Sequence, residues 1–168
     1  MEAIPKLIFW KWFFEGLDDG KSGLKSFLNK WMILHIVIAL FCLSLDNGTL
    51  AEIAKNAILP FSGALLGMTF AWSGNITALL RTEQISELSE YVSGGISIHV
   101  YKVQLSILTV LLTTIAWTLA AIGILTSGFW RFMLYFLSSI AIRECWQTIL
   151  FAQYMTICRD HIAKRRNK

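Results

Sequence analysis

From Val103 to Trp130 the chain carries not one charged side chain, and that stretch decides most of what the rest can be. A helix of about 20 apolar residues crosses the roughly 30 Å hydrocarbon core of a bilayer, where a backbone must satisfy its own hydrogen bonds. Three further stretches follow the same pattern. The first runs from Phe27 to Leu45, is free of acidic and basic residues apart from His35 once past Lys30, and is closed by Asp46. The second, Asn56 to Leu80, has no charge and carries Pro60 near its start, where a missing amide proton does least harm. The last starts near Phe129 and reads apolar to Cys158, interrupted by Arg143 and Glu144. Composition agrees, with 55% apolar and 15% charged residues where soluble proteins have about 45–50% and about 25%. The expected fold is therefore an all-α polytopic membrane protein, a single membrane domain over 1–168 with four transmembrane helices at 27–45, 56–80, 105–125 and 129–158.

Charge placement sets the expected orientation. Five lysines precede the charge-free part of the first span, which begins at Trp31, and five basic residues fall among the last ten, so with both termini cytoplasmic, and Arg81 and Lys102 in the middle loop, twelve of the 15 Lys and Arg lie inside. Only Lys55 and Arg131 then face outward, as the positive-inside rule asks of a protein of the cell inner membrane. The first segment, 1–26, reads as an interfacial amphipathic helix. Its bulky aromatics, with no small-residue cleavage site after them, do not suit a removed signal peptide. Lys6, Trp10, Lys11 and Trp12 are its expected lipid contacts. Lys164, Arg165 and Arg166 of the basic tail, 159–168, are read as contacts to anionic lipid. Direct nucleic-acid binding is not expected, because the tail lacks aromatics on which bases could stack.

The middle loop, 81–102, is read as cytoplasmic and amphipathic. Glu83, Glu87 and Glu90 recur at helical spacing beside Ile85, Leu88 and Val92. A solvated connector has this pattern, and so does a docking surface for a basic cytosolic protein partner.

Catalytic motifs are absent: the sequence holds no HExxH, GxSxG, Walker A, GxGxxG or EF-hand signature. No enzymatic activity, cofactor or metal is expected. The three cysteines, Cys42, Cys145 and Cys158, have no metal spacing and read as reduced packing residues. Gly63 and Gly67 form a GxxxG motif whose ridge continues through Ala71 to Asn75, with Ala116 and Ala120 as a partner ridge in the next helix. The motif suits contact within the chain or between subunits. His35 lies at membrane depth, where an ionisable group is costly unless paired. It reads either as a neutral packing residue or as a proton-sensing or pore-lining one.

The fourth helix poses the sharpest question. From Phe129 to Ile142 it rises roughly 21 Å, short of a core about 30 Å thick, so Arg143 and Glu144 fall inside the inner half. Ser139, Arg143 and Gln147 recur at four-residue steps with Glu144 and Thr148 beside them, a polar stripe that His35 joins at similar depth. Sequence neighbours project about 100° apart on a helix, so Arg143 and Glu144 are expected to need partners elsewhere, for instance in a neighbouring subunit. Alternatively Arg143 snorkels to the inner headgroups.

Two functional classes follow: an oligomeric, non-enzymatic sensor or regulatory subunit coupling a membrane event to a cytosolic partner, or a pore-forming, holin-like effector. The segment Ala57-Ile-Leu-Pro60 leading into Gly63 and Gly67, then a short charged helix before the third span, resembles the small four-helix membrane proteins of bacterial anti-phage defence operons. Membrane subunits of the Kiwa type are the most similar among them. That resemblance implies a homo-oligomeric sensor of infection at the inner membrane, working in antiviral defence with a cytosolic DNA-binding partner.

Overall fold

The computed structural model describes residues 8–15, 23–24, 28–79, 95–125 and 127–166, and these are helical apart from short connections, with no strand among them. The helices are α1 (Ile8–Phe14), α2 (Met32–Leu45), α3 (Leu50–Ile53), α4 (Leu59–Leu79), α5 (Gly95–Ala121) and α6 (Gly128–Arg166). A π-helical turn at Ala54–Ile58 joins α3 to α4. The expected cytoplasmic helix at 82–93, with Glu83, Glu87 and Glu90, lies outside the described residues.

Local chemistry explains several boundaries that differ from expectation. The first span is shorter than 27–45, because the Asn29 side chain accepts the Trp31 amide at 2.9 Å and turns the chain just before α2. The second does not begin at Asn56. Thr49 caps α3, its hydroxyl accepting the Glu52 amide at 3.4 Å and donating to the Glu52 carboxylate at 2.7 Å, a reciprocal cap. Helix therefore runs from Leu50, and Pro60 sits inside it rather than at its start. The wide turn at Ala54–Ile58 directly precedes the proline, whose missing N–H and bulky ring break the regular ladder.

At the far end of α5, Gly123 adopts φ 82°. Its amide bonds the Ala120 carbonyl at 3.0 Å and the Ile124 amide bonds Leu119 at 3.0 Å, the paired closure that a left-handed glycine permits. The last helix does not stop at Cys158. It is continuous for 39 residues to Arg166, so the basic tail extends α6 instead of leaving it.

α6 is the centre of the bundle and packs on α2, α4 and α5, while α5 also packs on α4 and the π-turn. α1 rests on α5, and α2 has its main contacts with α6 alone. By length and hydropathy, Val100–Ala121 of α5 is the one described helix able to cross a membrane unaided. Met32–Leu45 and Leu50–Asn56 make a second candidate only as a pair bent by 114°, and Leu59–Ala71 is a shorter apolar helix. The expected four separate spans are thus one clear span and a bent pair. α2 has just 14 residues, and α6 carries Arg131, Arg143 and Glu144 through its apolar stretch.

Polar side chains face the interior. His35, Ser62, Thr69, Ser106, Thr109, Thr113, Ser139, Glu144 and Thr148 are all buried. Thr109 and Thr113 each donate to the carbonyl four residues back at 2.8 Å, which satisfies the hydroxyls without help from solvent. Outward, α2 is apolar on almost every side, with Ile33, Val37, Leu40 and Phe41 each more than half exposed.

Candidate functional site

α2 and α6 lie side by side, and two polar contacts tie them together. In the first turn of α2, His35 Nδ1 and Ser139 Oγ lie 2.6 Å apart. At the other end Arg131 meets the fully buried Asp46 carboxylate at 3.1 Å and donates to the Gly48 carbonyl at 3.3 Å. Between these two fastenings α2 offers Ala39, fully buried, as its closest packing residue. A buried imidazole is tolerable when it has a hydrogen-bond partner, and Ser139 supplies one to His35. The ring's other nitrogen, Nε2, is buried with no hydrogen-bond partner among the described residues.

One turn along α6, Arg143 overturns the expected geometry. Its Nε and Nη2 donate to Glu144 Oε1 at 2.8 and 2.6 Å, with side chains 11% and 6% exposed. Neighbouring Cα–Cβ bonds do diverge, but the arginine side chain is long enough to fold back along the helix and reach its neighbour's carboxylate. No second subunit is needed to neutralise either charge. Losing one member of such a buried pair leaves the other uncompensated, a cost of about 3–5 kcal/mol.

The polar stripe therefore divides. Ser139, Arg143 and Gln147 line a cavity of about 760 Å³ between α2 and α6. Glu144 and Thr148 are buried instead, the Thr148 hydroxyl donating to the Glu144 carbonyl at 3.0 Å. His35 and Ser139 form the buried floor of the cavity. Exposed apolar side chains, among them Trp31, Leu34, Ile38, Ile142, Trp146 and Leu150, form its rim. The volume falls within the roughly 300–1,000 Å³ usual for ligand pockets.

A second constellation sits at the end of α5 nearest α1. Tyr101 is buried, its hydroxyl without a partner among the described residues, beneath Phe9 stacked at 5.5 Å and Trp12 edge-on at 6.4 Å. Gly23 passes directly over the Tyr101 hydroxyl, and a Cβ there would collide with it. On the other side of α1, Trp10 and Phe14 are exposed at 47% and 65%, and Lys11 is exposed. Trp12 was expected to face lipid with Trp10 and is turned inward, because Tyr101 offers it a ring to pack on.

No protein-family model, curated protein or solved structure matches the chain.

Among the described residues, the glycine ridge is not where α4 packs. Gly63 and Gly67 have open space where a Cβ would point, and Ala71 is exposed. The packed side is the neighbouring one, with Ser62 and Thr69 buried and Leu65 and Leu66 against the core. Thr69 selects that side by donating to the Leu65 carbonyl at 2.8 Å while meeting Cys145 Sγ at 3.2 Å. Ala116 and Ala120 do pack, but on the cluster of Leu50, Ala54, Trp117 and Leu134 rather than on the glycines. The side chains of Asn75, Arg165 and Arg166 and all of Lys6 lie outside the described residues, and Lys164 is exposed.

Sequence reasoning missed Tyr101, Trp117 and the Asp46–Arg131 bond. The last had a signal: two lone opposite charges, both expected on the outer side, each at the end of an apolar run. Trp117 is fully buried and donates from Nε1 to Ser138 at 2.8 Å, a pairing that crosses two helices and leaves no local trace.

Proposed function

We propose that the chain is a multi-pass inner-membrane protein, with both termini cytoplasmic, that acts without catalysis as a sensor or regulatory subunit. The membrane placement is supported by the inverted polarity of the bundle. Hydroxyls, an imidazole and an ion pair are buried, while large apolar side chains cover the outside in far greater extent than the few hundred Å² typical of soluble monomers. In this reading α2, α4, α5 and α6 occupy the bilayer, α2 aided by its bent continuation.

The sensing role rests on one observation, the seating of α1. An aromatic helix with one face on Tyr101 and the other exposed is suited to lie in the headgroup layer, where lipid disturbance pulls on it directly. Its seat, Tyr101, lies on α5, which packs along α6, the helix that carries the buried Arg143–Glu144 pair. A displacement of α1 is therefore passed to α6 through α5. The stimulus by this reading is a membrane event such as phage infection, received by a homo-oligomer and passed to a cytosolic protein. A pore formed by several copies is the competing role, with the cavity-facing stripe as its lining.

Reporter fusions at Gly48 and Lys168 should fall on opposite sides of the membrane, and the chain should resist carbonate extraction. Both reporters on one side would defeat the topology. Expression alone should leave growth and dye exclusion normal, and dye entry would favour the pore.

A further inference from the structure

The cavity between α2 and α6 sets a polar floor against apolar walls. His35, Arg143 and Gln147 lie toward the end that the proposed topology turns to the cytoplasmic surface, beside Trp31 and Leu150, and Cys42, Ile58, Phe61 and Tyr135 lie toward the other. An alkyl chain headed by an ester suits walls and floor together. We propose that the cavity holds one acyl chain of a phospholipid from the cytoplasmic leaflet, its ester carbonyl oxygen meeting His35; this rests on the membrane placement above.

The buried floor supplies the first reason. If Ser139 donates to His35 Nδ1, the ring proton resides on Nε2, a buried donor with no acceptor among the described residues. Leaving such a group unpaired is costly, and an ester carbonyl is an acceptor of the right kind. Charge supplies the second. Arg143 is already neutralised by Glu144, so this end offers hydrogen bonding without net charge. A neutral ester suits it, whereas a free carboxylate would bring an uncompensated charge to a partly buried site. The rim supplies the third, since Leu34, Ile38 and Ile142 are exposed apolar walls on facing helices that an alkyl chain would cover.

The test uses the full chain in vesicles of phosphatidylethanolamine and phosphatidylglycerol. One arm contains a phosphatidylethanolamine with a photoreactive acyl chain, and the other contains photoreactive palmitic acid. The phospholipid should label the facing walls of α2 and α6 well above the exposed Leu111 face of α5. Ile38→Trp combined with Ile142→Trp fills the space from exposed positions and should lower wall labelling to the Leu111 level. Ile33→Trp, more exposed and outside the cavity, should leave it unchanged. His35→Phe keeps the ring and removes the donor, and should reduce wall labelling about fivefold, the worth of one net hydrogen bond. Preferential labelling by palmitic acid would overturn the choice of lipid, and full labelling of the filled variant would overturn the site. A chain released by carbonate defeats the membrane placement and this site with it, whereas a retained chain with unlabelled walls defeats the site alone.

Discussion

Deleting the Arg143 side chain leaves Glu144 as a lone carboxylate 4% exposed in the bundle. At this scale the energetics of a single charge dominate. Arg143→Ala and Glu144→Ala are each expected to cost about 3–5 kcal/mol, whereas the double variant Arg143→Met with Glu144→Leu removes both charges together and should cost much less than the sum. Thermal unfolding of the detergent-solubilised protein measures this. Equal additive losses would mean that the two side chains do not act as a pair. The contact was illegible in sequence because spacing gives the direction of a Cβ and not the reach of four further side-chain atoms. His35 shows the complementary case. That it needed a partner followed from its depth, but nothing in the chain's order says that the partner is Ser139, 104 residues away.

Among the elements, α1 depends on a glycine for its seat. Gly23→Val places a side chain where the Tyr101 hydroxyl lies, so α1 should lift from α5. Tryptophan accessibility to a water-soluble quencher should rise at Trp12, read in variants with the other tryptophans replaced, while Trp10, already exposed, should change little. An unchanged Trp12 would show that α1 is held by other means. α4 offers a contrasting test. Since Gly67 meets no neighbour within 4 Å in the chain, Gly67→Leu should leave the stability of the single chain within about 0.5 kcal/mol, the usual range for open surface positions. If copies associate through this face, the same variant lowers the oligomer size seen in detergent, and unchanged size places the subunit contact elsewhere. The existence and order of the long helices were legible because apolar runs persist over many residues. Which side of α4 packs was not, since its serine, threonine and glycine ridges alternate around an apolar cylinder and only the hydroxyls' partners distinguish them.

At the scale of the whole molecule, the acidic segment with Glu83, Glu87 and Glu90 joins α4 to α5 on the side proposed as cytoplasmic. Reversing all three to Lys is expected to abolish co-purification with a cytosolic partner without changing membrane insertion. Retained co-purification would shift docking to the basic ends. α6 gives this arrangement a mechanical property. Its 39 residues run without a break, a rod of about 58 Å, nearly twice the thickness of a hydrocarbon core. Arg143 lies partway along that rod, and the stretch from there to Arg166 is about 35 Å. A tilt of about 10° with its fulcrum at Arg143 would sweep the far end through about 6 Å, more than one helical turn's rise. The same continuous beam joins the buried charge pair to an end bearing exposed Asp160, His161 and Lys164, so any slight lean at the pair is magnified at that end.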